Sequence, residues 1–165
     1  MLIPIGTEVR PKKPPVGNWI LVALNVLIYF VTDFGGQQWL KSYAALNAAI
    51  PTVSQYITYQ FLHGDAAHLA GNMLFLWIFG NAVCDRMGSF NYTLFYLAGG
   101  IFAGMVFTAQ NANPLIGASG AIAAVTTAFL VLYPRVQITM LIWFFVVTTF
   151  ELPAMVLIVF KIILW

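Results

Sequence analysis

The chain has 165 residues, of which 61% are hydrophobic and 7% charged, against about 45–50% and about 25% in soluble globular proteins, so a water-soluble fold is excluded. Seven Lys and Arg against five Asp and Glu leave a net charge of +2, without the clustered cations that phosphate binding needs, and no nucleic-acid partner is expected. One cysteine, Cys84, and two histidines exclude an internal disulfide and a structural zinc cluster; no metal and no cofactor are expected.

Formal charge is expensive at bilayer depth, so the charged residues mark where apolar spans end. Residues 1–15 read as a cytoplasmic N-terminal segment and 16–165 as a transmembrane domain. Val16 to Thr32 is the first crossing, with Trp19 at its entrance and Asp33, Gly35 and Gly36 ending it. Ala66 to Cys84 is the second, stopping at Asp85-Arg86. Between Arg86 and Arg135 lie 48 residues without a formal charge, enough for two spans of about 20 residues. The turn-forming run Gln110-Asn111-Ala112-Asn113-Pro114 divides them, giving Tyr92 to Ala109 as the third helix and Ser119 to Tyr133 as the fourth. Val136 to Thr149 is rich in β-branched and aromatic residues and stays open between helix, re-entrant piece and interfacial segment. Glu151-Leu152-Pro153 reads as a helix start, and the 14 residues from Leu152 to Trp165 are too few for a full span. The expected fold is an all-α polytopic bundle of four full transmembrane helices plus an incomplete fifth.

Arg10, Lys12, Lys13, Arg86 and Arg135 fall on one side if the four helices alternate, and only Lys41 falls opposite. That asymmetry places the N-terminus in the cytoplasm and the loop from about Phe34 to Ala66 outside. A cleaved signal peptide is the competing reading of the first 35 residues, but no small-x-small cleavage site follows the apolar run. In the long loop Trp39, Leu40, Tyr43, Leu46 and Ile50 recur at helical spacing, followed by Tyr56, Ile57, Tyr59, Phe61 and Leu62. Such a loop lies in the headgroup interface, and its expected role is to pack the outer rim of the bundle.

In so apolar a chain, polar side chains at membrane depth carry the information. His68 and Asn72 stand at i, i+4, on one face near the outer end of the second helix, while His63 points elsewhere. Gly117-Ala118-Ser119-Gly120 sets a serine among small residues at the start of the fourth helix. Gly99, Gly100 and Gly104 form a third cluster, with Gly100-x-x-x-Gly104 read as close helix packing. Serine between glycines also commonly serves packing, and His68 and Asn72 can bond each other or a carbonyl. A metal site at His63, Asp65 and His68 lacks further ligands at suitable spacing. Topology nevertheless puts Ser119, His68 and Asn72 at one depth, giving a nucleophile with two donors near an oxyanion. Spacing alone suggests a Ser119/His68 dyad with His68 as base.

The stretches Phe61-Leu62-His63-Gly64, His68-Leu69-Ala70-Gly71-Asn72-Met73, Phe79-Gly80 to Gly88 with an acid at Asp85, and Gly117-Ala118-Ser119-Gly120 together resemble the rhomboid intramembrane serine proteases. The resemblance runs from about Pro11 onward. It implies Ser119 as nucleophile, His68 and Asn72 as oxyanion donors, Gly117 and Gly120 as loop support, and His63 as an accessory residue. It also replaces the dyad, because the family's general base is a histidine on its sixth helix. This sequence has no such histidine, since both of its histidines precede residue 70. Two explanations follow: a truncated form of a protease, whose missing helix a second chain can also supply, or a non-catalytic relative that binds transmembrane client helices. A small transporter lacks support, with no buried acid pair or internal repeat. The expected partners are the lipid bilayer and single-pass transmembrane substrates.

Overall fold

The computed structural model describes residues 2–143, 147–153 and 156. Strand β1 (Leu2–Thr7) leads to Pro14 and Pro15, whose carbonyls accept the amides of Val16, Asn18 and Trp19 and start helix α1 (Val16–Tyr29). Proline suits this place because the first amides of a helix have no intrahelical acceptor. A π turn, Phe30–Phe34, prolongs α1. The following loop holds α2 (Gln38–Ala44) and α3 (Gln55–Thr58), the latter extended by a 3-10 turn at Tyr59–Phe61. Next come α4 (Ala66–Phe75), a π turn at Leu76–Gly80, α5 (Asn81–Met87), α6 (Ser89–Thr108) and α7 (Ser119–Leu132).

Among the described residues three helical stretches are long and apolar enough to cross a membrane: Val16–Phe34, Ala66–Met87 and Ser89–Thr108. The fourth, α7, is a shorter apolar helix of 14 residues, about 21 Å long at 1.5 Å per residue. All four fall within three residues of the bounds expected from the charges. They pack around Phe79, Tyr92, Tyr96, Ala121, Val125 and Phe129, all fully buried. The Phe79 and Phe129 rings meet edge to face with centroids 5.1 Å apart.

Glycines decide where helices approach closely. A Cβ on Gly99 would overlap Ala124, and one on Gly120 would overlap Ala103, so these two glycines set the α6–α7 crossing. Gly100 and Gly104 also serve close packing, but against the loop: Gly100 receives the Gln60 side chain, and Gly104 faces Leu46, Tyr56 and Tyr59. That loop lies against the bundle through Leu46, Tyr59 and Leu62, all buried, while Trp39, Tyr43 and Ile50 stay exposed. It is tied to the end of α1 by a Lys41–Asp33 ion pair at 2.9 Å.

The chain beyond Arg135 departs from the helical expectation. Strands β2 (Gln137–Trp143) and β3 (Val147–Pro153) pair antiparallel, Gln137 opposite Pro153, and β1 joins the other side of β2, Leu2 opposite Ile142. Ile138 and Met140 bury against the helical core. Thus Glu151-Leu152-Pro153 ends a strand rather than starting a helix. The β-branched and aromatic run at 147–150 favours a pleated backbone, and Pro153 closes an edge strand, where its missing N–H costs no ladder bond. The body of the expected fifth helix, 157–165, lies outside the described residues.

Candidate active site

The segment 109–118 turns the chain from α6 into α7, and the long loop holds it there. Leu46 and Leu115 exchange backbone hydrogen bonds of 3.0 and 2.9 Å, and the Gly117 amide donates to the Tyr59 carbonyl at 2.9 Å. Gly117 has φ +122, a conformation that side chains resist. A Cβ there would stand 2.9 Å from His68 Cε1, 3.0 Å from His68 Nε2 and 4.0 Å from Ser119 Oγ. The absent side chain is therefore what lets imidazole and hydroxyl approach the same point. Ser119 is the first residue of α7 and is exposed. The amides of this first turn have no intrahelical acceptor and add partial positive charge.

On the facing side Asp65 caps α4, its carboxylate accepting the His68 amide at 2.7 Å. The Asp65 carboxylate is thereby engaged in a helix cap, an interaction of about 1 kcal/mol. The cap fixes the first turn of α4, from which the His68 side chain projects. Gly64 N–H donates to His68 Nδ1 across a long 3.4 Å contact. A neutral imidazole that accepts at Nδ1 carries its proton on Nε2. Nε2 is among the atoms that a Gly117 Cβ would meet, so in this tautomer the N–H lies at the edge of the ring that borders Gly117.

His68, Asn72 and Ser119 line one cleft of about 250 Å³, together with Ala67, Gly71, Phe75 and Ile122. Asn72 Nδ2 is buried in its wall without a hydrogen-bond partner. Among the described residues the Ser119 hydroxyl has no partner either. The unpartnered Asn72 Nδ2, the His68 ring and the Ser119 hydroxyl thus share one cleft at the amino end of α7. An anion forming there on a carbonyl attacked by Ser119 would find donors in that lining.

His63 lies outside the cleft lining, yet its ring meets that of His68 nearly edge to face, centroids 5.2 Å apart and planes at 68°. It is fully buried, and neither ring nitrogen completes a well-aligned hydrogen bond. Burial first, then the charge of His68, pushes its imidazole down to about 4; a poorly aligned contact with the Phe61 backbone opposes this only in part. Of the expected support residues, Gly117 backs His68, while Gly120 turns away to the α6 crossing. Sequence reasoning missed the Gly64 amide and the Tyr59 carbonyl. The first was signalled by the cap motif at Asp65, but backbone groups such as the second leave no side-chain trace.

Comparison with known proteins follows the same residues. A family model described as "Rhomboid domain" matches residues 51–165. Rhomboid-like protein 11, chloroplastic, of Arabidopsis thaliana is 34% identical over 116 residues, covering 68% of this chain and 41% of that protein. Rhomboid protease GluP of Bacillus subtilis is 32% identical over 115 residues, 66% of this chain and 23% of that protein. Rhomboid protease GlpG of Haemophilus influenzae is 28% identical over 109 residues, 64% of this chain and 57% of that protein. The matched region spans less than two thirds of each of these relatives.

Proposed function

The chain belongs to the rhomboid family, and from that premise we propose that it is an intramembrane serine endopeptidase in which Ser119 is the nucleophile and His68 and Asn72 donate to the oxyanion. It is an integral membrane protein built on an intramembrane protease scaffold. The observation that carries the reading is the convergence of Ser119, His68 and Asn72 on one cleft, with the Asn72 Nδ2 donor unpartnered. Ser119 attacks the scissile carbonyl carbon; its proton passes to a base, and the carbonyl oxygen gains the charge that the two side chains and the first α7 amides stabilise. Collapse of the tetrahedral intermediate expels the amine, which takes up the proton, and water then releases the acyl group.

The base is the remaining part. His68 accepts the Gly64 amide at Nδ1, which leaves it the oxyanion role rather than that of base in this reading, and His63 is buried behind it. The proposed base is a histidine delivered from outside these 165 residues, on a further helix of a longer chain or of a second one. Substrates are single-pass transmembrane proteins whose helices unwind at the level of Ser119. The distribution of basic residues supports a cytoplasmic N-terminus with the serine toward the external side. In protein purified from its own membranes, a fluorophosphonate should label Ser119, and Ser119→Ala should abolish labelling. An unlabelled wild type, as expected of a non-catalytic client-binding relative, would overturn the assignment.

A further inference from the structure

A fully buried imidazole with neither nitrogen well bonded among the described residues is costly, so His63 invites an account beyond filling space. Burial, then His68 and Lys41, push its imidazole down to about 4 against the Phe61 backbone and Asp33, so it is neutral at physiological pH. As a neutral ring it presents a flat aromatic body to His68.

His68 needs such a body. Its side chain has one polar tether, the 3.4 Å bond from Gly64, too long to fix a ring by itself. Gly117 borders the Cε1–Nε2 edge. A half turn about the last side-chain bond would exchange each nitrogen with a ring carbon, taking Nδ1 off the Gly64 amide and Nε2 out of its place beside Gly117, and would free the ring to take either tautomer. The edge-to-face contact with His63 supplies the second wall.

We infer that His63 is a positioning residue: its ring holds His68 in the orientation that aims Nε2–H at the oxyanion, with Nδ1 turned to Gly64. A flat ring at position 63 is then what matters, not its nitrogens. The inference rests on the oxyanion role proposed above for His68, but its test does not require activity.

The chain has two histidines, so any substitution at position 63 leaves His68 as the one imidazole to observe. With the full chain labelled with 15N-histidine in detergent micelles at neutral pH, His68 should show a single Nε2–H tautomer in the wild type. His63→Phe should keep it, and His63→Ala should lose it to an average of both tautomers. If His63→Ala fails to fold by circular dichroism, His63→Leu, which fills the space without a flat ring, takes its place and should also lose it. An Nε2–H pattern unchanged in the Ala or Leu variant, or lost in the Phe variant, would overturn the inference. Fluorophosphonate labelling read in parallel separates the two ideas. A tautomer change with Ser119 unlabelled keeps the positioning role and removes the protease, while labelling without a tautomer change does the reverse.

Discussion

Two asparagines with buried amide nitrogens, Asn18 and Asn72, show two ways in which the bundle treats polarity. Asn18, on α1, is fully buried and closes its bonds: Nδ2 donates to the Leu76 carbonyl at 2.9 Å and to Asn81 Oδ1 at 2.8 Å, and Oδ1 accepts from the Tyr92 hydroxyl at 2.6 Å. The carbonyl it takes belongs to the π turn at Leu76–Gly80, where the helical ladder is interrupted. Gly80 packs so tightly beneath this knot that a Cβ would overlap both Asn18 and Tyr92. Asn72, one helical segment earlier, faces the cleft with its Nδ2 unpartnered. The same side chain locks three helical segments together in one region and is left open in the other. The Asn72 donor, unmet among the described residues, opens on a cleft, and the Asn18 amide, with all its bonds closed, ties structure.

Substitutions in the two regions should therefore fail in different ways. The largest effect is expected at Ser119. Replacement by alanine should lower turnover of a transmembrane substrate by about a millionfold, with unfolding in detergent unchanged; a variant that keeps measurable Ser119-independent cleavage would break the site half of the comparison. Asn72→Ala comes next. Loss of one oxyanion donor should cut kcat about 10²–10³-fold with KM held within about twofold, and a loss confined to KM would make Asn72 a binding group. Asn18→Leu should do the opposite. It strands the Leu76 carbonyl, Asn81 and the Tyr92 hydroxyl in the core and should cost about 4 kcal/mol of stability. Whatever fraction still folds should turn over substrate normally. If Asn18→Leu instead lowers kcat at full stability, the division between lock and site is wrong.

Much of this was legible in the chain because charge exclusion and helical spacing act locally. The ends of the apolar spans follow from Asp33, Asp85-Arg86 and the Gln110–Pro114 run, and the i, i+4 spacing puts His68 and Asn72 on one face. What the sequence could not express is long-range. The partner of Gly100 is Gln60, forty residues earlier in the chain, and the amide of Gly117 is held by a backbone carbonyl. The strands at 137–143 and 147–153 exist through pairing with each other and with residues 2–7, which no local window displays. His63 illustrates the limit most clearly: five residues from His68 it is predicted to face away, yet the non-helical turn at residues 62–65 brings its ring against that histidine.

The smallest expected effect sharpens the contrast through pH. Burial holds folded His63 at about 4 against the ordinary 6.5. As pH falls through 6.5 the unfolded chain gains a proton at this position, and the folded protein does not until about 4. Across that window the unfolded state binds more protons, so stability should decline with falling pH and level off below it, by at most about 3 kcal/mol in all. The amides of the Asn18 knot do not titrate and contribute no slope. Unfolding measured in detergent between about pH 7 and about pH 4 should thus show the decline in the wild type. The same decline should appear at a lower offset in Asn18→Leu, and His63→Phe should lack its His63 component. A slope that survives unchanged in His63→Phe would mean that His63 does not stay neutral in the fold, and that the buried ring behind the site is not the apolar wall its packing implies.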